Sequence, residues 1–406
     1  MAEAAAHLTR GLAMLAGLPD GPGRQRRELG LQLALDQASI AAKGFAAPET
    51  GRAYARARAL GRALGDVPAF FPVLYGHFIV HFQRGELAVA HEAAQELLQL
   101  AVDKGDVAAE VTGHRIVGSA LYHLGRLAQA RAHLEQGLAL YQPARDRGSA
   151  VVYALDSRVV CLFWLVHVLF ALGYPEQARA RMRDALDYAR ELAHPYTLAY
   201  ARSVACMFHG RFRPGTEARL EADALVAFAR EQGFPLPAAI GTAVGGWALL
   251  GEGAAKEGMA RLQRGLADYL ATGAELWVLE LLVLLAEAHG RLGEPAAGLA
   301  VLADALARVE RTGGRWLEAE LHRLRGELLL ALPEPEPPRA EACFRRALAV
   351  ARGQGAKLWE LRAATSLAKA RRAEAEALVA PVLGWFTEGR GTLALEEAER
   401  LLDGLG

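Results

Sequence analysis

The sequence predicts an all-α, right-handed solenoid of helix pairs, and three observations lead to this prediction. Amphipathic helical patterns follow one another along the chain. No alternating β-branched run bounded by hairpin turns interrupts them, so strands have no evident place. A turn residue recurs about every 40 residues, at Gly85, Gly125, Gly173, Arg213, Gly253, Gly293 and Pro335. Such a period is typical of stacked units that cannot bury their apolar faces alone.

The N-terminal segment has the pattern of half a repeat. Residues 6–14 (AHLTRGLAM) match residues 132–140 (AHLEQGLAL) almost letter for letter. We therefore expect residues 1–20 to be the second helix of a repeat that lacks its first helix. Such a half-repeat either acts as a cap or follows a further segment of a longer protein, and we favour the longer protein.

Regular repeats are expected over residues 25–356. An apolar helix precedes each turn, as at residues 107–123, 157–171 and 275–291, with a small residue at a recurrent place such as Gly118 or Gly246. After the turn come a small residue, a large apolar residue and a second small residue, as in Ala130, Leu134 and Gly137. This spacing draws one apolar stripe along a helix, and its small residues let a neighbouring helix approach closely.

One interval of the repeat, from Gly125 to Gly173, is longer than its neighbours by eight residues, and the excess falls within residues 142–157. Insertions in repeat proteins map to loops on one face, which is often the binding face. We predict a lid or pocket here, formed by four residues of this loop and of the following turn: Tyr153, Asp156, His194 and Tyr196. A surface loop without a specific role is the alternative.

The last repeat is expected to be short. The helix end and turn of the pattern are lost between Ala368 and Arg371. Residues 357–406 are therefore predicted to form a shortened repeat and a cap. The whole chain, residues 1–406, is expected to be one continuous array.

The turn glycine, the preceding Gly118 and the Ala130, Leu134, Gly137 series resemble the tetratricopeptide pattern, stretched from ~34 to about 40 residues. Five segments resemble, more specifically, the C-terminal tetratricopeptide-like region of bacterial proteins that carry a signalling-type NTPase, often preceded by an adenylate/guanylate cyclase domain. They are residues 44–49 (GFAAPE), 231–236 (EQGFPL), 272–276 (TGAEL), 339–368 and 380–389 (APVLGWFTEG). The resemblance implies a regulatory or sensing module.

In the resembled fold, the first helices line a concave groove. Carried onto this chain, the groove positions are Arg115, Ser119, His123, Phe163, His167, Tyr200, Ser203, Met207, Trp247, Glu280, Glu287, His322 and Arg325. The alternative for Phe163, Met207 and Trp247 is core between repeats, since aromatic and large apolar side chains at helical spacing are typical of core. We expect Arg115, Glu287 and Arg325 to face solvent, a partner or each other, because an unpaired buried charge is costly.

Several function classes lack support in the sequence. There is no GxxxxGK[ST] phosphate loop, GxSxG elbow or catalytic cysteine motif, so we predict no catalytic residues, no cofactor and no enzyme activity. His77 and His81 are spaced like metal ligands, but no third ligand is evident, so no metal site is predicted. Balanced charge, with 46 basic and 46 acidic residues, argues against nucleic-acid binding.

The apolar stretches also argue against a membrane protein. The longest, residues 159–172, contains His167 and is shorter than the ~20 residues that a spanning helix needs. The first residues lack the pattern of a secretion signal, so a cytoplasmic location is expected.

Two hypotheses follow for the function. The first is a non-enzymatic scaffold of bacterial signal transduction that binds a protein or peptide, possibly an NTPase or cyclase module, in its concave groove. The alternative is a small-molecule-sensing arm of such a protein. A peptide binder requires an open, polar groove, whereas a sensor requires an enclosed apolar pocket with a few converging polar groups. An enzyme built on helical repeats is a third, weaker alternative.

Overall fold

A computed structural model describes residues 2–43, 56–57, 59–61, 67–148, 150, 153, 155–212 and 215–404. These residues form helices and turns, and no strand occurs among them. The predicted all-α class is therefore confirmed. The segment 44–49 and the turn residue Arg213 lie outside the described residues. No helix in the described part of the chain combines the length and apolar character that crossing a membrane requires.

The described helices follow one another in a regular order. Those of the first half are α1 (Ala2–Ala16), α2 (Pro22–Lys43), α3 (Val67–Gln83), α4 (Leu87–Lys104), α5 (Val107–His123), α6 (Leu127–Leu140), α7 (Pro143–Asp146), α8 (Ser157–Leu172), α9 (Pro175–Leu192) and α10 (Pro195–Phe212). Those of the second half are α11 (Thr216–Glu231), α12 (Pro235–Gly251), α13 (Ala255–Ala271), α14 (Val278–Arg291), α15 (Pro295–Thr312), α16 (Glu318–Leu330), α17 (Pro337–Gln354), α18 (Lys357–Ala370), α19 (Ala375–Leu383) and α20 (Leu393–Asp403).

Consecutive helices pack as pairs, and glycines in the left-handed conformation end many of them. Gly125 has a φ of 74° and Gly253 a φ of 88°, values that glycine adopts without steric cost. A second series of turns, between one pair and the next, uses Gly233, Gly273 and Gly313 in the same conformation. The predicted repeat therefore has two fixed turns in each unit.

Small residues allow close helix contacts, as predicted. A Cβ atom on Gly246 of α12 would lie 2.4 Å from the backbone nitrogen of Leu262 in α13. A Cβ on Gly118 of α5 would lie 2.6 Å from the Leu134 side chain in α6. Glycine is therefore required at these two positions, because a side chain would push the paired helices apart.

The irregular parts of the repeat also have a described structure. Helix α1 packs against α2. The inserted segment contains the four-residue helix α7, while Ser149, Val151, Val152 and Ala154 lie outside the described residues. At the C-terminal end, α18 stops at Ala370, a short 3-10 turn follows, and α19 has only nine residues. Helix α20 packs on α18.

Repeats that are distant along the chain are in contact, because the solenoid forms a tight superhelix. The backbone amide of Glu275 donates to the carbonyl of Gln83 at 2.7 Å, and the amide of Arg315 donates to the carbonyl of His123 at 2.8 Å. Both pairs are 192 residues apart, so about five repeats complete one turn of the superhelix. We call these two contacts the seam.

A third contact between distant parts of the chain lies near the C-terminus. The Glu388 carboxylate accepts the backbone amides of Glu176 and Gln177, at 3.0 and 3.1 Å. These amides lie at the start of helix α9. An anion is favoured there because the first amides of a helix lack partners within the helix.

Aromatic side chains fill the centre of the superhelix. Trp277 and Trp316, which follow the two donor residues of the seam, are 3% and 2% exposed. Trp277 stacks on Trp164 at 5.3 Å with an angle of 8° between the rings. The group that we call the axial cluster consists of Phe82, Tyr122, His123, Phe163, Trp164, His167, Trp277 and Trp316.

Candidate functional site

Beside the axial cluster lies a cavity that we call the aromatic cavity and that opens to solvent at its mouth. Its wall is built from five first helices, α3, α5, α8, α10 and α12, and from the residues just before α14. The side chains that define it are Tyr75 and Phe78 of α3, Arg115 and Ser119 of α5, Phe163 of α8, Tyr196, Tyr200 and Ser203 of α10, and Trp277 before α14, together with Tyr153 of the inserted segment.

Arg115 is the only charged residue in the described wall of this cavity, and it is 1% exposed. Its Nη1 donates to the carbonyl of Leu155 at 3.2 Å. The guanidinium carbon lies 4.9 Å from the ring centre of Tyr75 and 5.7 Å from that of Tyr153. Its Nε and Nη2 atoms are buried and have no hydrogen-bond partner among the described residues. The charge is thus held by ring faces and one carbonyl, and two of its donors stay unused.

The aromatic wall is braced by its own contacts. The Tyr75 hydroxyl donates to the carbonyl of Tyr153 at 3.1 Å, which ties α3 to the inserted segment. Tyr200 stacks on Phe163 at 4.2 Å. Burial raises the pKa of Tyr153 to about 12 and the pKa of Tyr200 well above its usual value. Both phenols are therefore neutral at physiological pH and act as apolar walls with one polar end.

The predicted group of loop residues is brought together at the edge of this cavity. Tyr153 and Tyr196 line it. Asp156 is fully buried and caps α8 by accepting the amide of Val159 at 3.1 Å. The Asp156 amide lies 3.4 Å from the Thr197 hydroxyl, which lies 2.9 Å from His194 Nδ1. Tyr153 and Tyr196 thus contact the cavity directly, whereas Asp156 and His194 hold the surrounding segments in place.

The carboxylate of Asp156 accepts its hydrogen bonds from residues other than Arg115. The Tyr141 hydroxyl donates to it at 2.7 Å. Burial raises the pKa of Asp156, while the hydrogen bonds from Tyr141 and Val159 and the charge of Arg115 oppose this rise. Asp156 is therefore near enough to sense Arg115 but forms no ion pair with it among the contacts of the described residues.

A second cavity, also open to solvent, lies between α12, α14, α16 and α18. We call it the polar cavity. Arg211 pairs with Glu280 in its wall, and Arg362 lies 2.8 Å from Glu320 and 3.5 Å from Glu287. In the wall of this cavity cations and anions pair with each other, in contrast to Arg115, which has no ion pair among the described contacts.

Two other polar groups of the polar cavity face aromatic or carbonyl neighbours. The guanidinium of Arg291 lies 4.1 Å from the Trp247 ring centre. The Trp247 indole nitrogen donates to the Gly210 carbonyl at 3.3 Å. Trp359, whose indole nitrogen is buried without a partner among the described residues, lies in the same wall.

The predicted groove residues fall into separate environments. Arg115, Ser119, Phe163, Tyr200 and Ser203 line the aromatic cavity, and Trp247, Glu280 and Glu287 line the polar cavity. His123 and His167 belong to the axial cluster, and Met207 lies in the hydrophobic core. His322 and Arg325 are half-buried on α16, where His322 Nε2 lies 3.9 Å from Glu318. Whether any of these residues binds a partner stays a prediction.

The structure corrects two expectations about this inner face. The face is not an open polar groove, because the seam brings distant repeats together and aromatic side chains fill the space between them. Arg115 does not face solvent or another charge: it is buried against Tyr75 and the Leu155 carbonyl. Glu287 does meet an ion-pair network, through Arg323 and Arg362.

Buried histidines in the axial cluster are neutral. Burial lowers the pKa of His123 to about 3, partly offset by the bond from its Nδ1 to the Ser119 carbonyl at 3.0 Å. Burial also lowers the pKa of His167 well below its usual value. Among the described residues, no three His, Cys, Asp or Glu side chains form a group suited to a metal ion.

Three residues that shape the aromatic cavity and the axial cluster were not predicted from the sequence: Tyr75, Trp277 and Trp316. A signal for the tryptophans exists in the second series of turns. A tryptophan follows the turn glycine after three or four positions in three successive repeats, at Trp277, Trp316 and Trp359. No comparable pattern marks Tyr75, because its role depends on contacts with a segment almost 80 positions away.

Comparisons with known proteins show the same fold. No family model matches the chain. A curated relative, an uncharacterized protein of Rhizobium meliloti (strain 1021), is 24% identical over 373 residues, which are 90% of this chain and 36% of the relative. The chain thus spans little more than a third of the length of that relative.

Two solved structures describe the likeness in three dimensions. A Rap protein complexed with Competence and Sporulation Factor superimposes with a TM-score of 0.64 at 16% identity, covering 87% of this chain and 93% of that one. A Signal Transduction ATPase with Numerous Domains protein with a tetratricopeptide repeat sensor, from Pyrococcus horikoshii, has a TM-score of 0.48 at 14% identity and covers 93% and 54%. The chain has a tetratricopeptide-like helical-repeat fold.

Proposed function

We propose that this chain is a non-enzymatic regulatory module that senses a ligand inside its superhelix. The observation that carries the proposal is the aromatic cavity, which is lined by first helices and by Trp277, two residues after the seam residue Glu275. A cavity of this kind, mostly apolar with a few polar groups, is typical of a ligand site. Of the two hypotheses from the sequence, the geometry therefore favours the sensing arm.

Partner binding remains part of the proposal. Tetratricopeptide-like repeats are scaffolds for contacts with other proteins, and the Rap protein of similar fold was solved in complex with a factor. We propose that a ligand, either a small molecule or the end of a short peptide, enters the cavity, and that a protein partner reads the occupied state.

The proposed setting is bacterial signal transduction in the cytoplasm, with a signalling NTPase or cyclase module as the partner. The resemblance of residues 231–236, 272–276, 339–368 and 380–389 to the repeat region of such proteins supports this setting. The greater length of the curated relative is compatible with further domains in proteins of this kind.

A ligand screen with a blocked cavity tests the proposal. Nucleotides, sugars, organic acids and short peptides are screened by thermal shift against the wild type and against Ser203→Phe. Ser203 is 3% exposed and lines the cavity, so the larger ring fills the space that a ligand would use. Leu220→Phe, at a position 58% exposed, is the matched control.

The expected result is at least one compound that raises the melting temperature of the wild type and of Leu220→Phe but not that of Ser203→Phe. Circular dichroism confirms that each variant is folded. A chain that binds no compound, or whose ligands bind Ser203→Phe equally well, does not sense a ligand in this cavity.

A further inference from the structure

The state of Arg115 identifies the chemistry of the ligand. We propose that the aromatic cavity binds a monocarboxylate with an apolar or aromatic body, and that its carboxylate accepts two hydrogen bonds from Nε and Nη2 of Arg115. This inference deepens the proposed function and rests on it. The sensed compound is thus defined by one negative charge at one end and a ring or branched chain at the other.

The two unused donors of Arg115 are the atoms that a carboxylate would bind. Nη1 is occupied by the Leu155 carbonyl, whereas Nε and Nη2 are buried without a partner in the described structure. Nε and Nη2 together form one edge of the planar guanidinium. That edge matches the two oxygens of a carboxylate in a bidentate pair.

An empty cavity leaves Arg115 in an unfavourable state. A buried cation is normally compensated by an anion and by hydrogen bonds to its donors. Here the compensation consists of one carbonyl, the faces of Tyr75 and Tyr153, and the charge of Asp156, which forms no ion pair with Arg115 among the described contacts. A bound carboxylate supplies both the missing negative charge and the missing hydrogen-bond acceptors. It therefore removes the free-energy cost of burying Arg115, and this gain favours binding.

The rest of the wall selects the body of the ligand. Phe163, Tyr200 and Trp277 line the cavity and carry no charge. An aromatic or branched apolar group gains contact area against them. A dicarboxylate is disfavoured, because the described wall offers no second cation for its other charge.

Two sources supply this chemistry: a free aromatic acid, and the C-terminal carboxylate of a short apolar peptide. Two matched pairs of probes distinguish them. The first is 3-phenylpropionate and its neutral amide, 3-phenylpropionamide. The second is the tetrapeptide AFLF with a free and with an amidated C-terminus.

Calorimetric titration of the full chain measures the affinity for each probe. We expect at least one carboxylate of the two pairs to bind about tenfold or more tightly than its amide, because the amide leaves Arg115 charged and short of an acceptor. The pair that shows the larger difference identifies the source. Phenylsuccinate, a dicarboxylate, is expected to bind more weakly than 3-phenylpropionate.

Substitutions of Arg115 test whether this residue causes the preference for the acid over the amide. Arg115→Met keeps much of the volume but removes the charge, and Arg115→Lys keeps the charge but not the planar edge. We expect Arg115→Met to abolish the preference for the acid, and Arg115→Lys to retain only part of it. Arg202→Met is the matched control, because Arg202 packs over an aromatic ring, Phe228 at 4.6 Å, outside the cavity.

The outcomes separate this inference from the proposed function. Equal affinity for acid and amide in the wild type, an undiminished preference in Arg115→Met, or no binding of any carboxylate probe overturns the inference. If neutral compounds from the screen still bind and are lost in Ser203→Phe, the cavity is a ligand site of another chemistry and the proposed function stands. The wild-type comparison decides the matter even if Arg115→Met fails to fold.

Discussion

The amide nitrogen of Arg315 lies 2.8 Å from the carbonyl oxygen of His123, although 192 residues separate them. This bond joins the last residue of helix α5 to the segment that precedes helix α16, about one superhelical turn later. The side chain of Gln354 reinforces it by donating to the carbonyl of Arg315 at 2.7 Å. The solenoid is therefore held both by contacts between neighbouring repeats and by contacts between its turns.

Removing a seam tryptophan should open this contact. Trp316 is 2% exposed and lies against His123 and Tyr122. We expect Trp316→Ala to lower the free energy of unfolding by about 3–5 kcal/mol. Hydrogen exchange at the Arg315 amide should also become faster, because the hydrogen bond of the seam opens more often. Trp385→Ala, at a position 37% exposed, should cost less. Unchanged exchange at Arg315 in the Trp316 variant would show that the seam does not depend on this ring.

The stability of the chain should depend on pH through His123. The folded state holds the pKa of this histidine at about 3, against 6.5 as its ordinary value. Below pH 6.5 the unfolded chain therefore binds a proton that the folded chain does not, and stability falls as the pH falls from 6.5 towards 3. Between pH 6.5 and 5 this side chain alone accounts for a loss of about 2 kcal/mol.

Replacing this histidine should flatten the pH profile. We expect His123→Phe to lose about 2 kcal/mol less than the wild type between pH 6.5 and 5, as measured by urea unfolding at each pH. His7→Gln, at an exposed position, is the control for the removal of a histidine. Parallel profiles of the wild type and His123→Phe would mean that His123 is not kept neutral by burial.

A residue in the second series of turns is strained. Ala193 has a φ of 51°, in the conformation that Gly233, Gly273 and Gly313 adopt at the matching points of later repeats. An alanine there costs about 1 kcal/mol more than a glycine. Ala193→Gly should therefore stabilise the chain by up to about 1 kcal/mol in chemical unfolding, and Gly233→Ala should destabilise it by a similar amount. A loss of stability in Ala193→Gly would contradict this reading of the turn.

The close contact of α12 with α13 should tolerate no side chain at Gly246. A Cβ there meets backbone atoms of Leu262, which cannot move without separating the helices. We expect Gly246→Ala to destabilise the chain by about 1–3 kcal/mol. Gly353 in α17 has open space around it, so Gly353→Ala should be neutral or stabilising by up to about 1 kcal/mol. Equal effects of the two substitutions in thermal unfolding would show that the interhelical contact is not tight.

The features that the sequence predicted well are local. Turn glycines, the apolar stripes and the small residues such as Gly118 and Gly246 act within one helix pair, so their spacing along the chain shows them directly. The seam differs, because it arises from a small rotation per repeat that accumulates over about five repeats. No spacing within a repeat reports this rotation, and residues assigned to an open face therefore became buried.

In the candidate site, too, local features could be predicted from the sequence and contacts between distant segments could not. The excess of residues within 142–157 drew attention to Tyr153, which lines the aromatic cavity together with Tyr196 of the following turn region. The environment of Arg115 was not predictable, because general rules expect an arginine to meet an acid or solvent. Its actual neighbours, Tyr75 and the Leu155 carbonyl, come from two segments that only the folded chain brings together.

A crystal structure of the chain grown with saturating 3-phenylpropionate, or with the free-acid tetrapeptide if that probe binds more tightly, tests the central claim most directly. We predict density for the carboxylate at hydrogen-bond distance, about 3 Å, from both Nε and Nη2 of Arg115, with the apolar part against Phe163, Tyr200 and Trp277. An empty aromatic cavity, with the probe bound in the polar cavity or on the outer surface, would contradict the claim that the superhelix senses a carboxylate in its interior.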